Sequence, residues 1–449
     1  MDEKKIFLLS KAPVGKAIIT MAVPMIMGMM IQLLYNLVDI FFIGKLADAN
    51  QLAAANITTA LFMIMMALSG IIGTGAASCI SRCMGKNEYE KASTVLSSGI
   101  ALCFITGILT AVLGSIFINP IVHALGASNE VFSYAKDYSL VLILGAWIIM
   151  CNYALGQLLR SEGSVMVSVT GMLLGTVANT VLDPIFIFTL HMGIKGAAIA
   201  TVLGNGLGLL YYVVFYLRGK SLIRLNPKNI SFEKSIWKEI FSIGIPSSVS
   251  QILMGTAVMV CNNLIVIYGD NVVAGMGIAT KVMTIGTYLF MGFAAGCQPL
   301  IGYNFGAKNF KRVSEIIKKS MLMTSFLGIF LTVLLLVFSM KLISVFTPLP
   351  EVITQGNGIL KGLMWSLPIY GAQMVGGVTV QAMGKGKASL LISISRQGFF
   401  YIPLVLMLNY LFGLQGLIFA QPVADLLALF LTLKITSDIL KKSKQLNLS

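Results

Sequence analysis

The sequence contains few charged residues and almost no histidine. Only 11% of the 449 residues are Asp, Glu, Lys or Arg and two are His, whereas 57% are hydrophobic. Soluble domains carry about 25% charged residues, so the composition excludes a soluble fold for most of the chain. With so few acids and histidines, a clustered catalytic centre is not expected, and we predict that the protein is not an enzyme.

Several motifs of soluble and metal-binding proteins are also missing. No GxxxxGK[ST] phosphate-binding loop occurs, and GKGKAS from Gly384 has a different spacing. The six cysteines follow neither a disulfide framework nor the spacing of a zinc site. We therefore expect no cofactor and no resident metal. The excess of 32 basic over 17 acidic residues is spread over short loops, so we expect no binding to nucleic acid.

Long apolar segments make up most of the sequence. A helix needs about 20 apolar residues to cross the hydrocarbon core, and twelve segments of this kind follow one another. A polar loop separates the sixth from the seventh, which predicts an N-terminal bundle (1–217), a cytoplasmic linker (218–235) and a C-terminal bundle (236–449). The predicted spans are 16–42, 52–80, 93–118, 131–157, 165–190, 194–217, 236–267, 272–301, 314–346, 352–381, 390–411 and 414–436.

The basic residues assign an orientation to these spans. Most Lys and Arg residues fall in alternate loops, including the loops around Arg82, Arg160, Arg312 and Lys385. Cytoplasmic loops of membrane proteins are enriched in Lys and Arg. We therefore predict a multi-pass protein of the bacterial inner membrane, with both termini in the cytoplasm and the lipid bilayer as its surroundings, and we expect a monomer.

The two halves resemble each other at an offset of about 221 residues. MGKNEYEKAS from Met84 matches FGAKNFKRVS from Phe305, and GIKGAAI from Gly193 matches GLQGLIF from Gly413. An internal repeat of six spans preserves the orientation of each copy. The fold predicted is an all-α membrane protein of twelve transmembrane helices, in two pseudo-symmetric six-helix bundles around a central cleft.

Three acidic residues stand out inside the predicted spans, where a charge costs several kcal/mol and usually has a function, and the other acids map to loops or span ends. They are Asp39 in the first span, Asp183 in the fifth and Asp425 in the twelfth. Asp39 shares one helical face with Gln32, Tyr35 and Asn36, at spacings of three and four residues.

The fifth span repeats this pattern, with Asn179 one turn before Asp183. Thr201 and Asn205 share a face of the sixth span, and the fourth span adds Asn152. The simplest interpretation is one acidic polar pocket in the N-terminal bundle. The alternative for each amide is a hydrogen bond that only joins helices. Pro24 and Pro184 are predicted hinges or kinks.

These residues resemble a known family, the multidrug and toxic compound extrusion (MATE) transporters, on the branch that includes MepA-like and DNA-damage-inducible-type bacterial proteins. The resemblance covers nearly the whole chain. Its residues are Pro24, the spacing of Gln32, Tyr35 and Asp39, LLRSEGS from Leu158, and NTVLDP from Asn179.

The resemblance implies an antiporter that exports amphipathic, often cationic small molecules by alternating access, with H⁺ or Na⁺ as the coupling ion. It also implies that an ion-coupling site is formed by Asp39, Asn179, Asp183, Tyr35 and Thr201, with Gln32, Asn36, Asn152 and Asn205 lining the substrate cleft. Some members have an acid in the seventh span, where the stretch SSVSQILMGTAVMV of this sequence offers only Gln251 and no carboxylate. Asp425 is a substitute to consider in the C-terminal half.

Two other functions compete with this one. A flippase for a lipid or lipid-linked saccharide would need several basic residues within the spans to bind phosphate. Basic residues are nearly absent from the middle of the predicted spans, which favours cationic cargo. A receptor or scaffold without transport would need neither the internal repeat nor the intramembrane acids.

Overall fold

The computed structural model describes residues 2–45 and 48–445, and it describes the side chains of all these residues except residues 2 and 39–41. Helices and short connections make up the described part of the chain, and it contains no strand. The first half contains nine α-helices. They are α1 (Asp2–Ser10), α2 (Val14–Gly44), α3 (Ala49–Gly85), α4 (Tyr89–Ile116), α5 (Ile118–Ala124), α6 (Asn129–Leu144), α7 (Ala146–Ser161), α8 (Val165–Pro184) and α9 (Gly193–Leu217).

The second half contains seven α-helices. They are α10 (Lys234–Ile265), α11 (Asp270–Gly306), α12 (Phe310–Ser344), α13 (Pro350–Leu363), α14 (Leu367–Ala382), α15 (Gly386–Ile394) and α16 (Ile402–Gln445). Two π-helical segments, Ile185–Thr189 and Ser395–Tyr401, lie within the fifth and eleventh predicted spans.

The helices confirm the prediction of an all-α membrane protein. By length and composition, nine of the described helical runs can cross a membrane, and α6 with α7, bent by 55°, form a tenth. One of these runs, Gly386–Gln445, contains both the eleventh and the twelfth predicted spans. The tenth predicted span corresponds to α13 and α14, which a 3₁₀ turn at Met364–Ser366 connects.

Local sequence explains where the long helices begin and turn. Asp48 caps α3 by accepting hydrogen bonds from the backbone amides of Asn50 (2.9 Å) and Gln51 (3.4 Å). Gly413 has φ 57° and ψ −139° inside α16, a conformation that side chains with a Cβ rarely adopt. The helix is kinked there, between the eleventh and twelfth predicted spans.

The described chain divides into two compact units that do not follow chain order. The first unit contains the residues up to Phe7 together with Met27–Gly244, and the second unit contains Leu8–Ile26 together with the chain from Ile245 onward. This partition differs from the boundaries predicted at 217 and 236. The reason is that α2 and α10 each continue from one unit into the other, close to Pro24 and Pro246 respectively.

Glycine residues allow the first part of α2 to pack closely in the second unit, and the first part of α10 to pack closely in the first unit. In the first unit, a Cβ on Gly75 of α3 would overlap the main-chain carbonyl of Ile240 in α10. In the second unit, a Cβ on Gly296 of α11 would overlap the backbone of Ala22 in α2. Backbone contact of this kind is the usual way in which membrane helices associate, since no hydrophobic effect drives them together in lipid.

Polar contacts reinforce both segments. Arg82 of α3 forms an ion pair with Glu239 of α10 at 2.5 Å, within the first unit. In the second unit, the side-chain amide of Asn304 donates to the carbonyl of Leu9 at 2.8 Å, and Arg312 donates to that of Ala12 at 2.6 Å. The end of α1 and the turn before α2 are thus fixed to the second unit by hydrogen bonds as well as by packing.

The polar segment between α9 and α10 is attached to α4. Backbone amides of Arg224, Asn226 and Ser231 donate to serine hydroxyls of α4 at 2.9 to 3.1 Å. The predicted linker therefore belongs structurally to the first unit.

The close packing at Gly75 leads to a stability prediction. Gly75→Ala should lower the thermal unfolding temperature in detergent, because overpacking costs about 1–3 kcal/mol. Gly255→Ala in α10 is the matched control, since no atom lies within 4 Å of its added Cβ, and helix propensity should leave the temperature equal or higher. Equal temperatures for the two variants would contradict the assigned helix contact.

Candidate functional site

The polar residues of the first unit meet where α7, α8 and α9 pack together. Asp183 lies near the end of α8 and is fully buried, and Asn179, one turn earlier, is 3% exposed. On the facing helix α9, Thr201 is 7% exposed. Because residues four apart share a helical face, Asn179 and Asp183 lie on the same side of α8.

A chain of hydrogen bonds connects these three helices. The side-chain amide of Asn152 donates to Oδ1 of Asn205 at 2.9 Å, and that of Asn205 donates to the main-chain oxygen of Thr201 at 2.8 Å. The side-chain amide of Asn179 donates to the Thr201 hydroxyl at 3.3 Å, and this hydroxyl donates to the carbonyl of Ala197 at 3.0 Å. The prediction that Thr201 and Asn205 share a face of the sixth span is consistent with this network.

Glycine brings α8 and α9 close enough for these contacts. A Cβ on Gly204 would lie 2.6 Å from the carbonyl oxygen of Gly175, and it would lie 2.9 Å from the Asn179 side chain. Only residues without a Cβ leave the two backbones at this distance. The short separation lets the short Asn179 and Thr201 side chains reach each other.

The α8 helix widens immediately after Asp183. Pro184 cannot donate a backbone hydrogen bond, and the chain continues as the π-helical segment Ile185–Thr189. Gly196 of α9 packs on this segment, where a Cβ would lie 2.7 Å from the Phe186 backbone. Single π-helical turns often occur at functional sites because they shift the residues around them. The predicted hinge Pro184 thus lies at a change of helix type.

The predicted residues of α2 are only partly described. Gln32, Tyr35 and Asn36 are half-buried, whereas the side chain of Asp39 lies outside the described residues. The joint site of Asp39 and Asp183 therefore stays a prediction.

The first-unit site is rich in oxygen acceptors. Within the described residues, Oδ1 of Asn179 and Oδ1 of Asn152 are buried and accept no hydrogen bond. With the Asp183 carboxylate and the Thr201 hydroxyl, they offer carboxylate, amide and hydroxyl oxygens, the ligands that hard cations prefer. No group of three or more His, Cys, Asp or Glu suited to a metal ion occurs in the described part. A site with one carboxylate and several neutral oxygens is suited to the reversible binding of a monovalent cation.

The second unit contains a different polar centre. Asp425 of α16 is 1% exposed and accepts a hydrogen bond from Nε of Arg396 at 2.8 Å. Arg396 lies in the π-helical segment Ser395–Tyr401 with its guanidinium against the Tyr370 ring. Its position inside the predicted span 390–411 is the sequence signal that could have identified it. Gln251 is exposed in α10.

The LLRSEGS motif forms a buried cluster of its own in the first unit. Glu162 is 1% exposed and accepts hydrogen bonds from the hydroxyls of Ser164 (2.6 Å) and Ser221. Lys5 of α1 also donates to Ser164 at 2.8 Å. The motif therefore connects the α7–α8 turn to α1 and to the segment after α9.

Comparison with known proteins gives a consistent result. A family model described as MatE matches residues 24–185 and again residues 246–410. The chain is 30% identical to the multidrug export protein MepA of Staphylococcus haemolyticus, over 98% of this chain and 97% of that protein. It is 31% identical to MepA of Staphylococcus aureus strain MW2, over 95% of this chain and 94% of that protein.

Solved structures agree over the same length. A multidrug resistance MATE family transporter in an outward-facing conformation has a TM-score of 0.93 and 26% identity, covering 98% of this chain and 99% of that chain. A transporter of the MOP superfamily from Pyrococcus furiosus, described as having a binding pocket of reverse polarity, has a TM-score of 0.89, 26% identity and the same coverage.

The hydrogen bond between Asn152 and Asn205 leads to a coupling prediction. In a double-mutant cycle of Asn152→Ala and Asn205→Ala, the two losses of unfolding free energy should differ from additivity by about 0.6 kcal/mol, and by no more than about 2 kcal/mol. Thermal or denaturant unfolding in detergent measures the cycle. Additive losses would show that this contact contributes nothing.

Proposed function

Because the chain belongs to the MatE family, we propose that it exports small amphipathic molecules, mainly cationic ones, in exchange for H⁺ or Na⁺. The relatives at about 30% identity are multidrug export proteins, which supports this class of substrate and a non-enzymatic role. The duplicated family match supports two repeat halves that alternate access to the two sides of the membrane.

One observation carries the proposal. Asp183 is fully buried in a helix long and apolar enough to span the membrane, one turn from Asn179 and the network that joins α7, α8 and α9. Passive packing does not require a carboxylate there, since amides and hydroxyls already connect the helices. A charge kept at this cost is best explained by binding an ion or a cationic substrate.

The exchange follows from competition for one negative charge. When H⁺ neutralises the carboxyl group, or Na⁺ is bound by it and the neighbouring amide oxygens, a cationic substrate loses its electrostatic partner and dissociates. When the ion leaves, the carboxylate regains its charge and the substrate binds again. A ligand can shift a conformational equilibrium only by its differential affinity for the two states, so both the ion and the substrate must bind the two access states unequally.

Pro24 and Pro184 are the proposed hinges for the conformational change. Pro184 separates α-helical from π-helical geometry directly after Asp183. Pro24 lies in α2 near the residue at which this helix changes from one unit to the other. Both prolines remove a backbone hydrogen bond from the helix, so bending there costs less than elsewhere.

Asp183→Asn should reduce export. In everted vesicles loaded with ethidium or norfloxacin, with proton and sodium gradients imposed separately, we expect the rate under the coupling gradient to fall about tenfold or more, a barrier change of at least about 1.4 kcal/mol. Asp137→Asn is the matched control, because Asp137 is exposed on α6. Export by Asp183→Asn at the rate of the unmutated protein would contradict the assignment.

We also propose that the protein lies in the bacterial inner membrane as a monomer with both termini in the cytoplasm. Lys195 and Lys228 are both exposed and lie on opposite sides of the predicted span α9. In intact cells, a membrane-impermeant thiol reagent should label Lys195→Cys, and it should label Lys228→Cys only after permeabilisation. The unmutated protein gives the background of the native cysteines, and the reverse pattern would invert the proposed topology.

A further inference from the structure

A cleft of about 330 Å³ runs along α9 in the first unit, on a face that the polar site does not use. Its lining residues lie between Leu207 and Lys220, and most of them recur at spacings of three and four residues. Asn205, which belongs to the polar network, points to the opposite side of the helix from Leu207, because two residues correspond to a rotation of about 200°. The cleft is therefore separate from the acid and amides proposed for export.

The wall of the cleft is apolar over the depth of one membrane leaflet. Leu207 is 47% exposed and Leu210 is 57% exposed, in a helix long and apolar enough to span a membrane. From Leu207 to Arg218 the helix rises about 16 Å at about 1.5 Å per residue. This rise is about half of a hydrocarbon core of about 30 Å. The leucines are thus placed to contact an acyl chain within a single leaflet.

Two basic residues lie at the end of this apolar wall. Arg218 directly follows α9, and Gly219 has φ 62°, in the left-handed region that favours glycine. The turn at Gly219 allows Lys220 to line the same cleft as Arg218. Both basic residues are exposed, and their side chains form no ion pair or hydrogen bond in the described part of the chain. Their two positive charges remain available to a ligand.

The surroundings of this end of the cleft add a further positive charge. The ammonium group of Lys5 lies 5.5 Å from the ring centroid of Phe215, which lines the cleft. The acid of this region is Glu162, which is 1% exposed and accepts hydrogen bonds from the hydroxyls of Ser164 and Ser221. A ligand in the cleft therefore meets the basic groups rather than the carboxylate.

Basic residues at this position also have a simpler explanation. Positive side chains stabilise the C-terminal ends of helices, and cytoplasmic loops are enriched in Lys and Arg. Both effects require only exposed charges, and neither requires an apolar cleft that leads to them. The combination of the cleft with the charges is what indicates a ligand.

The chemistry of the cleft selects an amphiphile with a negative head group. Its apolar wall suits an acyl chain, and a phosphate at its end can accept hydrogen bonds from the guanidinium of Arg218 and the ammonium of Lys220. Basic pockets between the helices of other membrane proteins bind anionic lipid head groups in the same way. A cationic amphiphile would meet like charges there, so the cleft is unsuited to the cargo proposed above.

We propose that this cleft is a binding site for an anionic phospholipid, with an acyl chain along residues 207–214 and the phosphate at Arg218 and Lys220. The lipid is a bound component of the membrane and not exported cargo. The site is therefore independent of the proposed export function, and it is tested at equilibrium without any gradient.

Native mass spectrometry of the delipidated, detergent-purified protein measures the affinity for the first bound lipid. The probes are phosphatidylglycerol and phosphatidylcholine with identical acyl chains. We expect phosphatidylglycerol to bind about tenfold more tightly or better, because each basic residue near an anionic lipid contributes a factor of about five. Glycerol 3-phosphate, which carries a phosphate without acyl chains, should not bind at the same concentration. Equal affinities for the two lipids, or equally tight binding of glycerol 3-phosphate, would overturn the proposal.

Two double variants locate the preference for the anionic head group. R218Q/K220Q should lower the ratio of the two affinities to about one and leave the affinity for phosphatidylcholine unchanged. K228Q/K234Q is the matched control, because it removes the same charge from exposed residues outside the cleft, and it should preserve the ratio. An equal loss in the two double variants would show diffuse attraction to the basic surface and overturn the proposal.

A third variant tests whether the acyl chain occupies the cleft. Val214 is half-buried and lines the cleft, so Val214→Trp should fill it and weaken the binding of the first phosphatidylglycerol about tenfold. Leu109→Trp, at an exposed position of α4, is the control and should bind the lipid as the unmutated protein does. Thermal unfolding without lipid verifies that both variants are folded. Unchanged binding by folded Val214→Trp would exclude the cleft as the site.

Discussion

The cost of an unpaired charge or polar group in an apolar medium determines most of this molecule. Lipid offers no hydrogen bonds, so the described chain satisfies its backbone within helices and places its rare charges against partners. Arg396 lies against Asp425, Arg82 lies against Glu239, and the buried Glu162 accepts serine hydroxyls. Asp183 is fully buried one turn from Asn179, whose side-chain amide donates to the Thr201 hydroxyl.

The same constraint explains why two copies of one repeat have different interiors. Asn205 in the first half corresponds approximately to Asp425 in the second, at the repeat offset. Asn205 joins neutral hydrogen bonds, whereas the charge of the buried Asp425 is compensated by Arg396. Duplication therefore preserved the helical scaffold while the polar groups diverged, giving one unit an acid among neutral oxygens and the other a neutral ion pair.

Hydropathy and helical spacing predicted much of this structure. They located the membrane helices, the shared face of Thr201 and Asn205, and the position of Asn179 one turn before Asp183. They did not predict the ion pair of Arg396 with Asp425, because that contact depends on how the helices pack. These signals could not predict that α2 and α10 are each divided between the two units, because a helix that contains proline still appears in the sequence as one continuous apolar segment. Nor does the sequence indicate which buried oxygens lack donors, since that depends on the packing of distant helices.

The division of α2 between the two units has a consequence for biosynthesis. The segment Leu8–Ile26, which contains the end of α1 and the first part of α2, belongs to a unit whose other members begin at Ile245. During synthesis this segment enters the membrane long before the ribosome has made α11, whose Gly292 and Gly296 receive it. The early chain must therefore hold an unassembled helix in the bilayer, exposed to the quality-control machinery, until the second half emerges. Neither half alone contains all the segments of a unit, so each unit is completed only when both halves are present.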